Sequence, residues 1–126
     1  FMRYSKQRNL VYEIVLNSYD HPTAEMIYVK ARDLMPNISL GTVYRNLNEL
    51  VNKNQIQKII IQGDSDRFDK TLHPHLHFHC QCCKKVIDLE ESNFNNFVDK
   101  LEERNQVKII SNQISFTGIC SKCQNN

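Results

Sequence analysis

Two short cysteine strings constrain this chain more than anything else in it: Cys80-Gln81-Cys82-Cys83 and Cys120-Ser121-Lys122-Cys123. Each contains C-x-x-C, a spacing that lets two thiols turn onto one ion from a tight knuckle. Two knuckles complete the tetrahedron that zinc accepts without electronic preference, and four sulfurs leave no open coordination position. The expected role is structural, with zinc held by Cys80, Cys83, Cys120 and Cys123. The second pair follows the first by some forty positions. The ion would therefore pin the end of the sequence to its middle, and its binding energy would become folding energy. A redox C-x-x-C or buried free thiols are the competing readings, and two matched pairs argue against both. Cys82, inside the first knuckle, is expected to be a spare, reactive thiol. A vicinal Cys82–Cys83 pair is the minor alternative.

A length of 126 residues suffices for one ordinary domain or two very small ones. No apolar run approaches the ~20 residues of a membrane span, so no membrane partner is expected. The start, Phe1-Met2-Arg3-Tyr4-Ser5-Lys6, is polar and unlike a signal peptide. A cytoplasmic, reducing location follows as the expectation, and there paired cysteines serve as ligands more often than as disulfides. The net charge of +2 argues for no partner alone. Its distribution says more: residues 1–62 carry eight Lys/Arg against five Asp/Glu, while residues 63–126 carry eight against nine. A polyanion partner would sit on the first half.

Helical periodicity places one helix from a Ser5 cap to about Ser18, with Leu10, Val11, Ile14 and Val15 on its apolar face. After His21-Pro22, Thr23 caps a second helix with Ile27, Ala31 and Leu34 facing inward, ended by Met35-Pro36-Asn37. Ser39 caps a third, from Leu40 to about Val51, with Val43, Leu47, Leu50 and Val51 inward. Ile56 to Ile61 reads as a strand, Gln62-Gly63-Asp64-Ser65 as a turn, and Arg67-Phe68-Asp69 as a short return strand. Three short helices and a hairpin describe a winged helix-turn-helix. In the second half, His77–Cys80 and Lys85–Leu89 read as strands. Ser92 is expected to cap a helix with the stripe Phe94, Phe97, Val98 and Leu101, and Val107–Ile119 is a further strand region. So thin an α+β unit needs a metal staple and a partner subunit to bury enough surface.

His73, His75, His77 and His79 alternate. Alternate strand residues share a face, so His75 and His77 at least can converge. Imidazole is the commonest ligand for borderline divalent metals, and Asp69 and Asp88 lie near in sequence. A mixed His/Asp site suits Fe(II), Mn(II) or Zn(II). For His73 and His79, exposure or a supporting role is at least as good a reading as ligation. On the third helix, Thr42, Tyr44, Arg45 and Asn48 fall away from the apolar stripe, where a DNA major groove could meet them. Arg45 can grip guanine or phosphate, and Tyr44 a thymine methyl or phosphate. Lys6, Arg8 and Lys58 are candidate phosphate contacts. A merely solvated helix face is the competing reading.

Over nearly its whole length the sequence resembles the ferric-uptake-regulator family. The resemblance is carried by His21-Pro22-Thr23-Ala24-Glu25, by Pro36-Asn37-Ile38-Ser39 running into Gly41-Thr42-Val43-Tyr44-Arg45-Asn46-Leu47, and by Arg67-Phe68-Asp69. It continues through His75-Leu76-His77, Cys80 with Cys83, Val86-Ile87-Asp88 and the Cys120/Cys123 pair. It implies an α+β homodimer. A winged-helix DNA-binding domain would span residues 1–65, a hinge 66–71, and a small α/β dimerisation and metal-binding domain with the four-cysteine zinc site 72–126. It also implies a regulatory metal, Fe(II) or Mn(II) with Zn(II) possible, whose ligands by position are His21, Asp69, His75, His77 and Asp88. The expected function is a metal-dependent repressor on double-stranded DNA, with a two-fold symmetric operator. Members often carry a further helix before the position of Ser5.

Asp88 stands where the peroxide-sensing branch has Asp and the iron-sensing branch Glu. Leu76 replaces an Asp frequent in iron sensors. These residues favour a peroxide sensor in which Fe(II) directs oxidation onto His21 or His75; an iron- or zinc-responsive repressor is the alternative. A metalloenzyme would need an open coordination position and a general base. Five protein ligands leave little room for either, so no enzymatic activity is expected. A zinc buffer would leave the helix-turn-helix unexplained.

Overall fold

The computed structural model describes residues 2–72, 76–110 and 113–125, with side chains from Ser5 onward. Two compact units divide between Leu72 and His73.

The first unit holds helices α1 (Met2–Leu16), α2 (Ala24–Leu34) and α3 (Leu40–Asn52), then strands β1 (Gln57–Ile59) and β2 (Arg67–Asp69). Nothing between Met2 and Leu16 breaks a helix, so α1 is already running at Ser5, which lies inside it instead of capping it. The other two starts follow from their caps. Thr23 Oγ1 accepts the Met26 N–H and Ser39 Oγ accepts the Thr42 N–H, each satisfying a donor that the helix leaves unpaired. The helices close over a core of Val11, Val15, Ile27, Ala31, Val43, Leu47, Leu50 and Phe68. Leu34, expected inward, is 73% exposed. It ends α2, where the chain turns and Met35 and Ile38 enter the core in its place. The antiparallel hairpin pairs Gln57 with Asp69 and Ile59 with Arg67. β1 is shorter than the expected Ile56–Ile61 run. β1 ends at Ile59, and beyond it Ile60 is exposed while Ile61 is buried.

The second unit is a three-stranded sheet in the order β4-β3-β5, from β3 (Leu76–Cys80), β4 (Val86–Leu89) and β5 (Ile114–Gly118). β4 pairs antiparallel with β3. Helix α4 (Phe94–Asn105) is the crossover that returns β5 parallel to β3. A short helix, α5 (Ser121–Gln124), closes the described chain. Asn93, not Ser92, holds the cap position of α4. It makes no side-chain cap bond, and its N–H donates instead to Glu91 Oε1. Of the expected Val107–Ile119 strand region, only Ile114–Gly118 is strand among the described residues. No residue of α4 is buried, and Phe97, Leu101, Ile87 and Phe116 stay exposed. Gly118 fits close against β3: a Cβ there would lie 3.0 Å from Phe78 Cε1.

Replacing Ile27 with Ala should cost about 2–5 kcal/mol by leaving a cavity in the helical core. Leu34→Ala should stay within about 0.5 kcal/mol. Urea unfolding followed by helical circular dichroism checks the contrast, and equal losses would put Leu34 back in the core.

Candidate metal centres

The two cysteine knuckles meet at one end of the second unit. Pairing β3 with β5 brings Cys80 beside Gly118, and the Gln81 N–H donates to the Gly118 carbonyl at 2.8 Å. The first knuckle turns through Lys84, whose φ of 67° lies in the left-handed region, and closes with Lys84 N–H on the Cys80 carbonyl. The second is the start of α5, with Cys120 at its cap position and Gln124 N–H on the Cys120 carbonyl. Each of the four sulfurs lies within 4.8 Å of the others. Cys83 Sγ and Cys120 Sγ are 3.9 Å apart. Zinc–sulfur bonds of about 2.3 Å would set the edge of a tetrahedron near 3.8 Å, so the set fits a tetrahedral ion.

Backbone N–H groups prepare the thiolates. The Cys120 N–H donates to Cys80 Sγ at 3.4 Å. That bond, with help from the Cys83 backbone, draws the Cys80 thiol down to about 6. The Cys120 thiol is also lowered, by the Cys123 backbone. Cys123 is pushed up, chiefly because its side chain shares a hydrogen bond with Cys120. Four thiols this close cannot all ionise without a cation between them, which suits a divalent ion. Cys82 is exposed and outside the four-sulfur cluster.

Each unit also carries one His/Asp pair. In the first, His21 Nδ1 lies 3.9 Å from Asp69 Oδ1. His21 has a φ of 50°, and Asp69 is 4% exposed. Asp69 Oδ1 accepts the Thr71 N–H, while buried Oδ2 has no hydrogen-bond partner among the described residues. A buried carboxylate oxygen left so is costly unless a cation offsets it. In the second unit, β3–β4 register sets His77 opposite Asp88, with Nε2 3.2 Å from Oδ1. Two donors about 2.1 Å from one ion at right angles would stand about 3 Å apart, so this pair suits shared ligation. His79 shares the His77 face and is buried. His73 and His75 lie outside the described residues.

On α3, Tyr44, Arg45 and Asn48 are exposed and Thr42 is half-buried. Tyr44 Oη donates to Glu25 Oε1 at 2.8 Å, and this bond raises its pKa. Arg8 faces Glu49 at 3.8 Å and Lys58 faces Asp66 at 3.9 Å. Such exposed pairs are weak and readily exchanged for a phosphate. Lys6 is exposed. Two residues the sequence reading passed over take part here. Glu25 ties α2 to α3 through Tyr44, and buried Arg67 donates through Nη1 to the His21 carbonyl at 3.2 Å. Both stood inside recognisable strings, but their partners are 19 and 46 residues away.

Comparison with known proteins places these features. The sequence pattern of the Ferric uptake regulator family matches residues 1–117. The Peroxide-responsive repressor PerR of Staphylococcus aureus is 28% identical over 123 residues, covering 98% of this chain and 83% of the relative. The solved Helicobacter pylori ferric uptake regulator Fur, described as having three functional metal binding sites, matches with a TM-score of 0.85. Its identity is 28%, over 94% of this chain and 80% of that one. The Campylobacter jejuni peroxide stress regulator matches with a TM-score of 0.82 at 25% identity, over 97% and 92%.

Serine in place of Cys80, Cys83, Cys120 or Cys123 should abolish zinc retention, read by elemental analysis of the dialysed chain, whereas Cys82→Ser should retain it. Loss in the Cys82 variant alone would mean that the knuckle uses the other sulfur.

Proposed function

Because the chain belongs to the ferric uptake regulator family, we propose that it is a metal-dependent repressor that binds double-stranded DNA and answers to peroxide. What carries the reading is the pair of His/Asp couples, one in each unit, at positions where the family resemblance expects a regulatory metal. His21 and Asp69 are the ligands from the DNA-binding side, and His75, His77 and Asp88 those from the sheet side. A structural zinc occupies the four cysteines. The domain assignment is a winged helix over residues 1–65, a hinge over 66–71 and a dimerisation domain over 72–126.

The mechanism follows from where the ligands sit in sequence. His21 precedes α2, and Asp69 ends the hairpin that follows α3. Ligands on both sides of the hinge fix the angle of the reading helix only when all of them engage at once. Ligation thus favours the DNA-competent arrangement and shifts the population toward it. Fe(II) held by His21, Asp69, His75, His77 and Asp88 would supply the one-electron chemistry by which hydrogen peroxide oxidises a ligand histidine. An oxidised His21 or His75 would no longer serve as a donor across the hinge, and DNA would be released. With Mn(II) in place of Fe(II) the repressor would be insensitive to peroxide.

Thr42, Tyr44, Arg45 and Asn48 meet base edges, and Lys6, Arg8 and Lys58 meet phosphates. The exposed Phe97, Leu101, Ile87 and Phe116 supply an apolar surface for a second copy, so the operator is two-fold symmetric. No helix among the described residues is long and apolar enough to cross a membrane. A cytoplasmic location fits the thiolate site. The peroxide assignment draws on Asp88 and on likeness to the Staphylococcus aureus and Campylobacter jejuni peroxide regulators. An iron- or zinc-responsive regulator is the second reading, favoured by the likeness to the Helicobacter pylori protein.

A symmetric duplex selected from random DNA in the presence of Mn(II) gives the probe. Mobility shift should appear with Mn(II) and vanish with chelator, and Asp69→Ala or His77→Ala should raise the Mn(II) requirement about tenfold or more. Peroxide should release the Fe(II) protein and add oxygen to the peptide bearing His21 or His75. If the Fe(II) protein stays bound with both histidines unmodified, the iron- or zinc-responsive reading replaces this one.

A further inference from the structure

We infer that Arg67 is a positioning residue for the regulatory metal: its guanidinium holds the left-handed turn at His21 so that the imidazole stays beside Asp69. The inference rests on His21 and Asp69 being ligands, as proposed above.

His21 sits at a φ of 50°, a region that residues with a Cβ seldom occupy without outside support. Pro22, the next residue, has no N–H to donate. Support comes from β2. The Phe68 N–H donates to the Pro22 carbonyl at 2.9 Å, and Arg67 Nη1 donates to the His21 carbonyl at 3.2 Å. Thr23 and Arg67 form an isolated antiparallel bridge next to these bonds. Two successive carbonyls of the turn are thus fastened to the strand that ends in Asp69.

Strand alternation makes this a metal-site argument as well as a packing one. Phe68 points into the helical core, being 1% exposed, so Arg67 and Asp69 project together from the opposite face. The clamp and the carboxylate are two residues apart on one rigid backbone, and the imidazole is fixed by the clamp. The 3.9 Å between His21 Nδ1 and Asp69 Oδ1 thus separates two side chains whose backbones are tied to the same strand. Arg67 is 9% exposed, which leaves its fork little freedom to wander. Without it the His21 carbonyl would lose its bond to β2, and His21 could relax out of its left-handed conformation. The imidazole would then leave its place beside Asp69.

The test compares the wild-type chain, zinc-loaded at its cysteines, with Arg67→Met, Arg67→Lys and His21→Ala. Mn(II) affinity is measured by electron paramagnetic resonance, alongside zinc content and the melting of the Mn(II)-free protein. Arg67→Met should weaken Mn(II) binding about 10- to 100-fold with zinc content unchanged. Arg67→Lys, with a single ammonium in place of the fork, should lie between, at least about threefold weaker than wild type. His21→Ala must also weaken it. If it does not, the ligand assignment itself fails. If His21→Ala weakens binding while Arg67→Met binds Mn(II) like wild type, or lowers only the melting temperature, Arg67 has no positioning role. Should Arg67→Met not fold, Arg67→Lys decides alone, and wild-type affinity there overturns the inference.

Discussion

The structure of the second unit depends on four sulfur atoms brought within 4.8 Å of one another. A three-stranded sheet with a helix that buries none of its residues has too little apolar surface to hold itself together. The knuckles replace the missing core. One stands at the end of β3 and the other follows β5, so closing the tetrahedron fixes the parallel pairing between those strands. The N–H groups aimed at Cys80 lower its thiol and make the site ready for a cation before one binds. A metal bound there would contribute its binding energy to folding.

In the first unit the order of causes is reversed. Its helices bury a continuous apolar cluster and need no ion to hold their shape. The hairpin buries Ile59 and Phe68, and it also turns two polar side chains of β2 toward the segment entering α2. Asp69 brings a carboxylate oxygen with no hydrogen-bond partner among the described residues, and Arg67 brings the donor that fastens the His21 carbonyl. The strand that closes the core with one face thus arranges donors with the other. Glu25 links the helices: it accepts the hydrogen bond from Tyr44 and so ties α2 to α3.

Much of this could be read from periodicity and caps. Thr23 and Ser39 announce α2 and α3, because a hydroxyl before an amphipathic run has a specific N–H to accept. Where the same rule was applied to Ser5 and Ser92 it misplaced the starts. Nothing ahead of Ser5 stops a helix, and at Asn93 a glutamate side chain two residues earlier takes the N–H. Leu34 has the spacing of an inward residue but lies at a helix end, where the chain's next turn decides which side chain fills the core. Ile60 shows the opposite limit: its β-branched chemistry marks a strand region, yet β1 ends one residue earlier and the side chain lies exposed.

Which sulfurs, imidazoles and carboxylates exist is written in the order of residues, as are the C-x-x-C and alternate-residue spacings that let neighbours converge. Those are local properties, set by bond geometry over a few residues. Which distant groups meet is settled by the packing of helices and strands. The β3–β5 register brings Cys80 to Cys120, and β3–β4 register brings His77 to Asp88. Arg67 reaches the His21 carbonyl across 46 residues. Such contacts follow from how helices and strands pack, a global balance of burial and chain entropy that no short window of sequence encodes.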